Sequence, residues 1–600
     1  MTTTHLVVRG TAVSGGVAQG PAHVLTFTDH VPVTRRTLDP TEVQGELDRL
    51  DRALAQAEED LLSLGKTMAA KVGAEDAEVF AAQALVARDH VLHGQIVTLV
   101  RDHHVNVEAA VAEVIDRFTK TFDQIADPYI RERAADIRDV GRRVLAALGQ
   151  QALANAGAPG TVANDFPDGA ILVVDELLPS ATASLDLGRT RALVTDRGGK
   201  FSHTSILARS MRMPAVTGVQ DATLKIKNGD HVIVDGVSGV VFVNPGPSVR
   251  REYDRLEAEL RGYRAELEKL VERAAVTRDG VAITLLANAS KLSDTEAAVL
   301  YKADGIGLYR TEFGFAVRSA FPTEDDQYEI LKRAADRIHP RKIVVRLLDV
   351  GGDKELSYFP LPVSRNPSLG QRGMRLLLQQ PDILRTQLRA FLRVSADRAV
   401  SILLPMVGGV DEIRATRVVL NEVMEELTRE GKPFNPQVPL GAMVEVPAAA
   451  VMAAVLAREV DFLSLGTNDL VQYVLAADRE DDTVASYYRP LHPAVLHLIR
   501  SVCDGAGQAS RPLTICGEMA GDPANTELLL GLGLREFSVA PGEMLEVKDA
   551  IRKADLGQAR ALAEEALGLA SADEVEALLA RRRATGTAAG GSEPLDALPD

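Results

Sequence analysis

The period of the apolar positions changes repeatedly along the chain, and each change predicts a different kind of structure. Residues 1–25 read as short β strands with a glycine turn around Gly15, Gly16 and Gly20. From about 40 to 149 the period becomes helical. Val43, Leu47, Leu50, Leu54 and Leu61 fall on one stripe. Val107, Val111, Val114, Phe118, Phe122 and Ile125 form a second. Ile130, Ile137, Val140, Val144 and Leu148 form a third, closed by Gly149. With 75–100 between them, about four helices are predicted. The pattern then switches to short apolar runs bounded by Gly, Asp and Pro. AILVV (170–174), RALVT (191–195), HVIVD (231–235) and GVVFV (239–243) read as strands, with one helix beginning near His203. This is a compact α/β unit that the N-terminal strands could join.

Over residues 248–273, Tyr253, Leu256, Leu260, Tyr263, Leu267 and Leu270 repeat at helical spacing with charges between them. That is a long amphipathic helix, suited equally to connecting two domains or to lying on the surface of one. From 276 onward strands alternate with helices. Candidate strands fall at 282–288, 305–310, 342–348, 401–407, 440–446, 461–466, 513–516 and 536–540. Eight such units suggest a (β/α)8 barrel, with an open doubly wound sheet as the alternative. The last residues, 584–600, are predicted to form a disordered tail.

Composition narrows the function. The 600 residues carry 67 basic and 84 acidic side chains, a formal charge of −17. That argues against a grip on nucleic acid, which needs a basic footprint. Aromatic residues are 4% of the chain and tryptophan is absent, so base stacking is not expected either. No apolar run approaches a membrane span, and the first residues do not read as a secretory signal. Cys503 and Cys516 are the two cysteines, too few for a disulfide framework, so a cytoplasmic setting is expected.

The candidate chemistry sits where strands end, because barrel enzymes carry their reacting groups at the C-terminal ends of strands. The second strand ends at Arg310, and the third at Arg346 followed by Asp349, Asp353 and Lys354. The fifth ends at Glu445, the sixth at Asn468 and Asp469, and the seventh at Cys516 and Glu518. Arginine forks match phosphate and carboxylate oxygens. Two carboxylates from different strands suit Mg2+, which completes its shell with water and substrate phosphate. The pocket therefore reads as a Mg2+ site for a small phosphorylated carboxylate. Elsewhere, two glycines lead into Ser202-His203-Thr204-Ser205 at a helix start. There the helix dipole disfavours imidazolium, which suits a neutral imidazole that carries a phosphoryl group.

GGKFSHTSILARSMRMPAV, GIGLYRTEF, LLDVGGDKE, NPSLGQRGMR, MVEVPAAA, FLSLGTNDLVQY, AADR and CGEMAGD occur in that order. Together they resemble enzyme I of the bacterial sugar phosphotransferase system, a family of phosphoenolpyruvate-dependent protein kinases. The resemblance implies a multidomain α/β protein. A swivelling phosphohistidine α/β domain (1–25 and 150–247) would hold an inserted helical bundle (26–149) that binds HPr, a small phosphocarrier protein. A linker helix (248–275) would lead to a C-terminal TIM barrel (276–583) that binds phosphoenolpyruvate and forms a homodimer. It implies His203 as the phosphorylated residue, with Thr182 orienting its ring, and Cys516 as the acid that protonates the enolate carbon. Arg310, Arg346, Asn468, Asp469 and Arg479 are implied as phosphoenolpyruvate contacts, with Lys354 in support. Glu445 and Asp469 are implied as Mg2+ ligands, with Mn2+ able to substitute. The expected activity is phosphoryl transfer from phosphoenolpyruvate to His203 and then to the carrier, with release of pyruvate. Three departures from the family pattern stand out: Lys200-Phe201, Ser14-Gly15-Gly16, and Gln371 where an aromatic is usual. A dikinase relative would need an ATP-grasp domain, and no GxxxxGK[ST] sequence is present.

Overall fold

The computed structural model describes residues 6–25, 33–72, 78–87, 90–123, 128–149 and 166–589, apart from 178–180, 182–184, 186, 200, 201, 212, 317, 319, 353–355, 357, 363, 480 and 482. Thr182, Lys354 and the Lys200-Phe201 pair lie outside the described residues, as do residues 590–600; the expected disordered tail from 584 is corrected in that 584–589 continue the helix Ala572–Ala589. The chain divides into two compact units, Met1–Arg264 and Ala265–Asp600.

The first unit is built on an eight-stranded sheet. Its strands are β1 (Leu6–Arg9), β2 (Thr11–Ser14), β3 (Val17–Leu25), β4 (Ala170–Val174), β5 (Thr190–Thr195), β6 (Ala215–Thr217), β7 (His231–Asp235) and β8 (Val240–Val243), in the order β1-β8-β7-β3-β4-β5-β6-β2. The nine-residue β3 joins two pairing modes. Val17–Pro21 pair antiparallel with β7, and Ala22–Leu25 pair parallel with β4. Gly20 therefore lies inside a strand rather than in the expected turn. A side chain there would collide with the Gly169 carbonyl, so the position needs the bare backbone. The turn between β2 and β3 is made by Gly15 and Gly16, with Gly16 at φ 109°. Val13, Leu172, Val174 and Leu193 cover one face of the sheet, and Ile171, Val173, Val194 and Val232 the other.

Between β3 and β4 the chain forms five helices among the described residues, one more than the stripes suggested. They are α1 (Val43–Val72), α2 (Glu78–Ala87), α3 (His90–Asp102), α4 (Val107–Asp123) and α5 (Pro128–Ala147). The 75–100 segment holds two helices: the apolar residues of α2 are spread round the helix, whereas Leu92, Ile96, Leu99 and Val100 give α3 one buried stripe. Leu50, Ala57, Leu61, Val100, Val114 and Val140 make the bundle's own core. The bundle is tied to the sheet domain by Arg138, whose guanidinium donates to both Glu176 oxygens at 2.9 and 2.8 Å. Helix α6 (His203–Ser210) follows β5, and α7 (Pro247–Lys269) runs across the division between the units. The apolar stripe of α7 is covered only near its ends. Tyr253 donates to Asp235 at 3.1 Å and packs on Phe242, while Leu267 and Leu270 pack on Leu545. Leu256 and Tyr263 between them are exposed.

The second unit is a closed barrel of eight parallel strands, the first of the two architectures expected. The strands are β9 (Thr284–Ala289), β10 (Gly305–Tyr309), β11 (Lys342–Arg346), β12 (Val400–Leu404), β13 (Leu440–Val444), β14 (Phe462–Gly466), β15 (Leu513–Cys516) and β16 (Glu536–Val539). Glu536–Val539 pairs with Thr284–Ala287 and closes the ring. Lys548 and Arg552, both buried, donate to the carbonyls of Leu270, Val271 and Ala274, so the chain leaving α7 is held by two cations. No helix among the described residues is long and apolar enough to cross a membrane.

Two glycines in the bundle make opposite predictions. A Cβ at Gly141 would stand 2.8 Å from the Ile115 side chain, whereas one at Gly94 would meet nothing within 4 Å. In urea unfolding, Gly141→Ala should destabilise the bundle by about 1–2 kcal/mol. Gly94→Ala should stabilise it by about 0.5–1 kcal/mol, the ordinary helix propensity difference.

Candidate active site

Strand periodicity decides which side chains enter the barrel. Leu308, Val344, Leu403, Met443 and Cys516 form its inner core, whereas Tyr309, Val345, Val444 and Ile515 pack outward on the helices. Two residues after each inward position the side chain points inward again. Arg310 follows Leu308, Arg346 follows Val344 and Glu445 follows Met443. These charges therefore gather at the C-terminal mouth of the barrel, above an apolar floor.

The charges are bound into one network. Arg346 is 4% exposed; its Nη2 donates to Glu312 at 2.8 Å and lies 3.3 Å from Asp349. Burial opposes the Arg346 charge, but Glu312, Asp349 and Glu445 outweigh it and hold its pKa above the ordinary value. Its Nε is buried with no partner, a donor available to a ligand oxygen. Glu312 also accepts from the Asp349 backbone N–H at 2.9 Å. Arg372, with no exposed surface, lies between two carboxylates. It donates to Asp349 at 3.0 and 3.0 Å and to Asp469 at 2.8 and 3.1 Å. Arg479 stands 3.8 Å from the same Asp469.

Glu445 is also buried. One of its oxygens accepts from the Met406 backbone N–H at 2.6 Å. Burial, then the charges of Asp469 and Asp349, push its carboxyl up to about 7 against the pull of Arg346 and Arg372. Its other oxygen lies over Gly466, 2.8 Å from where a Cβ would stand, so only glycine leaves that space open. Among the described residues no group of three or more His, Cys, Asp or Glu could hold a metal. Two buried carboxylates, Glu445 at the end of β13 and Asp469 just after β14, lie close enough for the Asp469 charge to act on Glu445. Hard oxygen donors in that number fit Mg2+, which leaves most of its shell to water and substrate.

Cys516 ends β15 with its thiol buried, 3.4 Å from the Ser464 hydroxyl and 3.4 Å from the Leu465 carbonyl. Burial raises the thiol pKa, and the Ser464 hydrogen bond and the Arg310 charge oppose that rise. The sulfur is therefore protonated at neutral pH. Asn468 accepts from the Glu518 N–H at 2.9 Å, and its carbonyl accepts from Tyr488 at 3.1 Å.

The structure thus brings Arg310, Arg346, Glu445, Asn468, Asp469, Arg479 and Cys516 to one end of one barrel. Sequence reasoning missed the parts played by Arg372 and Glu312. Both lie in quoted motifs, but neither sits at a strand end, and nothing in their spacing signals a buried ion pair. Gln371, the departure from an aromatic, lies on the surface and donates to Gln379 at 2.7 Å. His203 belongs to the other unit, as the first residue of α6. The turn before it is held by hydroxyls: Ser202 and Ser205 both donate to the Gly199 carbonyl, at 3.0 and 2.6 Å. The Ser205 N–H donates to the Ser202 oxygen at 3.3 Å, and Thr204 donates to the Leu177 carbonyl at 3.1 Å.

Three family models match the chain: the N-terminal part of PEP-utilising enzymes at 9–133, their mobile domain at 166–239 and their PEP-binding domain at 264–556. Fold and site thus define a phosphoenolpyruvate-utilising enzyme. A phosphoenolpyruvate-protein phosphotransferase of Geobacillus stearothermophilus is 41% identical over 574 residues, covering 96% of this chain and 98% of the relative. Those of Haemophilus influenzae and Bacillus subtilis are 38% and 37% identical, covering 96% and 95% of this chain and 98% and 99% of the relatives. The chain belongs to the phosphoenolpyruvate-protein phosphotransferase family.

Arg372→Met would remove the cation that hydrogen-bonds both Asp349 and Asp469, leaving them the longer contacts to Arg346 at 3.3 Å and Arg479 at 3.8 Å. The barrel should lose about 3–5 kcal/mol, read as a lower urea midpoint of the second unit.

Proposed function

We propose that this protein transfers the phosphoryl group of phosphoenolpyruvate to its own His203 and then to a histidine of an HPr-like phosphocarrier, releasing pyruvate, as the first step of sugar uptake by the phosphotransferase system. The observation that supports the reading is the convergence of four arginines, the buried carboxyl groups of Glu445 and Asp469, and a buried thiol at one barrel mouth. Arg346, Arg372 and Arg479 face the carboxyl groups of Glu312, Asp349, Glu445 and Asp469. An incoming phosphate ester adds negative charge to this acidic cluster, and Glu445 and Asp469 would hold Mg2+, or Mn2+, to offset it. When bound, the ion neutralises charge on the transferring group.

In the first half-reaction His203 Nε2 attacks phosphorus, a nitrogen–phosphorus bond forms and the phosphorus–enol oxygen bond breaks. Arg310, Arg346 and Arg479, with Asn468, hold the phosphate and carboxylate oxygens, so catalysis is mainly positioning and charge stabilisation. Cys516 gives its proton to the methylene carbon of the enolate, yielding pyruvate, and recovers one from water. Lys354 supports the donor and Thr182 orients the imidazole. In the second half-reaction the carrier's histidine takes the phosphoryl group while docked on the helices of 26–149.

His203 and the arginine pocket lie in different units, and reacting atoms must come within about 3–3.5 Å. The phosphohistidine domain therefore swivels between pocket and carrier, with Pro245-Gly246-Pro247 as hinge-side punctuation. The reading includes a homodimer through the barrel and a cytoplasmic setting.

The test separates the half-reactions. With labelled phosphoenolpyruvate, His203→Ala should form no phosphoprotein. Cys516→Ala should slow phosphorylation by phosphoenolpyruvate on the order of 100-fold, a typical loss for a proton donor, yet leave exchange between phospho-carrier and His203 within twofold. Equal slowing of both steps would make Cys516 structural. Metal binding should also depend on pH. Below about 7 a proton occupies Glu445, so the Mg2+ concentration for half-maximal rate should rise about tenfold per pH unit between 7 and 5. A flat profile across that range would remove Glu445 from the metal site.

A further inference from the structure

Arg310 and Arg346 stand at the ends of neighbouring strands, and the strand ladder does not fix their spacing. The β10–β11 register shifts between Ile306 and Tyr309, and its last pair is Tyr309 with Val345. Beyond that pair each arginine is bonded through the backbone to its other neighbour, the Arg310 N–H to the Ala289 carbonyl and Arg346 in register with Leu403, so the direct links between the two strand ends are side-chain hydrogen bonds. Thr311 Oγ1 donates to the Arg346 carbonyl at 3.0 Å. The same hydroxyl accepts from Gln387 Nε2 at 3.4 Å. Gln387 Oε1 accepts from the Leu348 backbone N–H at 2.8 Å, which also fixes the orientation of the amide. Gln387 belongs to the helix Pro381–Ser395 outside the barrel, where it has no exposed surface and Leu384, Leu388 and Phe391 are buried beside it.

An amide in that setting is costly unless fully partnered, and packing alone would be met by leucine or methionine. All its partners here are the residues just past Arg310 and Arg346. We propose that Gln387 and Thr311 form a positioning brace that sets the spacing of Arg310 and Arg346 and thereby the affinity for the phosphate-bearing substrate. The proposal rests on the reading that these arginines hold phosphoenolpyruvate. Neither residue touches the substrate. Each acts through the backbone that carries an arginine, the Thr311 hydroxyl on the Arg346 carbonyl and the Gln387 amide on the chain two residues beyond it. A mismatch of a fraction of an ångström between two forked donors loses bidentate contact with one phosphate, so the brace matters for binding more than for folding.

The experiment is calorimetric titration of the full chain with phosphoenolpyruvate and Mg2+, in a His203→Ala background so that the substrate is not consumed. Thr311→Val keeps the shape and removes the hydroxyl, and should raise Kd about tenfold, the effect of roughly one hydrogen bond. Thr311→Ser restores the hydroxyl and should bind within about twofold of its parent, the scatter of ordinary surface changes. Gln387→Met should match Thr311→Val, and the double variant should be little worse than either single one, because both break the same chain. Binding of Thr311→Val within twofold of the parent overturns the brace, as does a Thr311→Ser variant as weak as Thr311→Val. If Gln387→Met fails to fold, the Thr311 pair decides. Arg346→Ala in the same background distinguishes the two levels. Parent-like binding there overturns the phosphoenolpyruvate reading and the brace with it. Lost binding with an unaffected Thr311→Val overturns the brace alone.

Discussion

The mouth of the barrel depends on one buried ion: the Arg372 guanidinium held between Asp349 and Asp469. In a site with no exposed surface such a pair is strongly coupled, and neither carboxylate could stay charged there without its cation. The three residues come from the loop after β11, the loop that precedes Met374 and the helix that follows β14. The pairing therefore fixes three separate chain segments around one centre. Glu312 extends the network through Arg346 and the Asp349 N–H to the loop after β10. Ions and hydrogen bonds position this rim, and the apolar layer of Leu308, Val344, Leu403 and Met443 lies beneath it.

The same low dielectric acts differently on two acidic groups at the one barrel mouth, Glu445 and Cys516. Burial pushes both Glu445 and Cys516 toward their protonated forms, but their neighbours differ. Glu445 is surrounded by other carboxylates, so a divalent cation is the natural replacement for its proton. Cys516 has a hydroxyl, a carbonyl and an arginine, which keep a thiol in place and soften the appearance of a thiolate. One barrel mouth thus holds a raised carboxyl and a raised thiol whose surroundings differ. The histidine sits on the other unit, where hydroxyls of Ser202 and Ser205 close the turn onto the Gly199 carbonyl at the start of α6. Helix α7 crosses the division between the two units. Its apolar stripe is buried at Leu267 and Leu270 but exposed at Leu256 and Tyr263.

Much of this was legible in the residues themselves. Alternation along a strand follows from backbone geometry alone, so Val344 inward implies Arg346 inward, and Met443 inward implies Glu445 inward. Continuous apolar runs bounded by glycine and proline marked all eight barrel strands to within a few residues. The hydroxyls around His203 announced a helix start for the same local reason. Long-range choices were not legible. Closure of β16 onto β9 instead of an open sheet depends on strand tilt summed over the ring, and no local window carries that sum. The short helix α2 escaped because its apolar residues form no one-sided stripe. Arg372 and Gln387 looked like an ordinary loop arginine and an ordinary helix glutamine. Their meaning lies in partners about 23–97 residues away in the chain, at Asp349, Asp469, Leu348 and Thr311. Sequence determined which side chains face inward, because that is set by the neighbouring bond. Tertiary structure alone decided which charges are buried together, because burial and Coulomb attraction depend on distance in space.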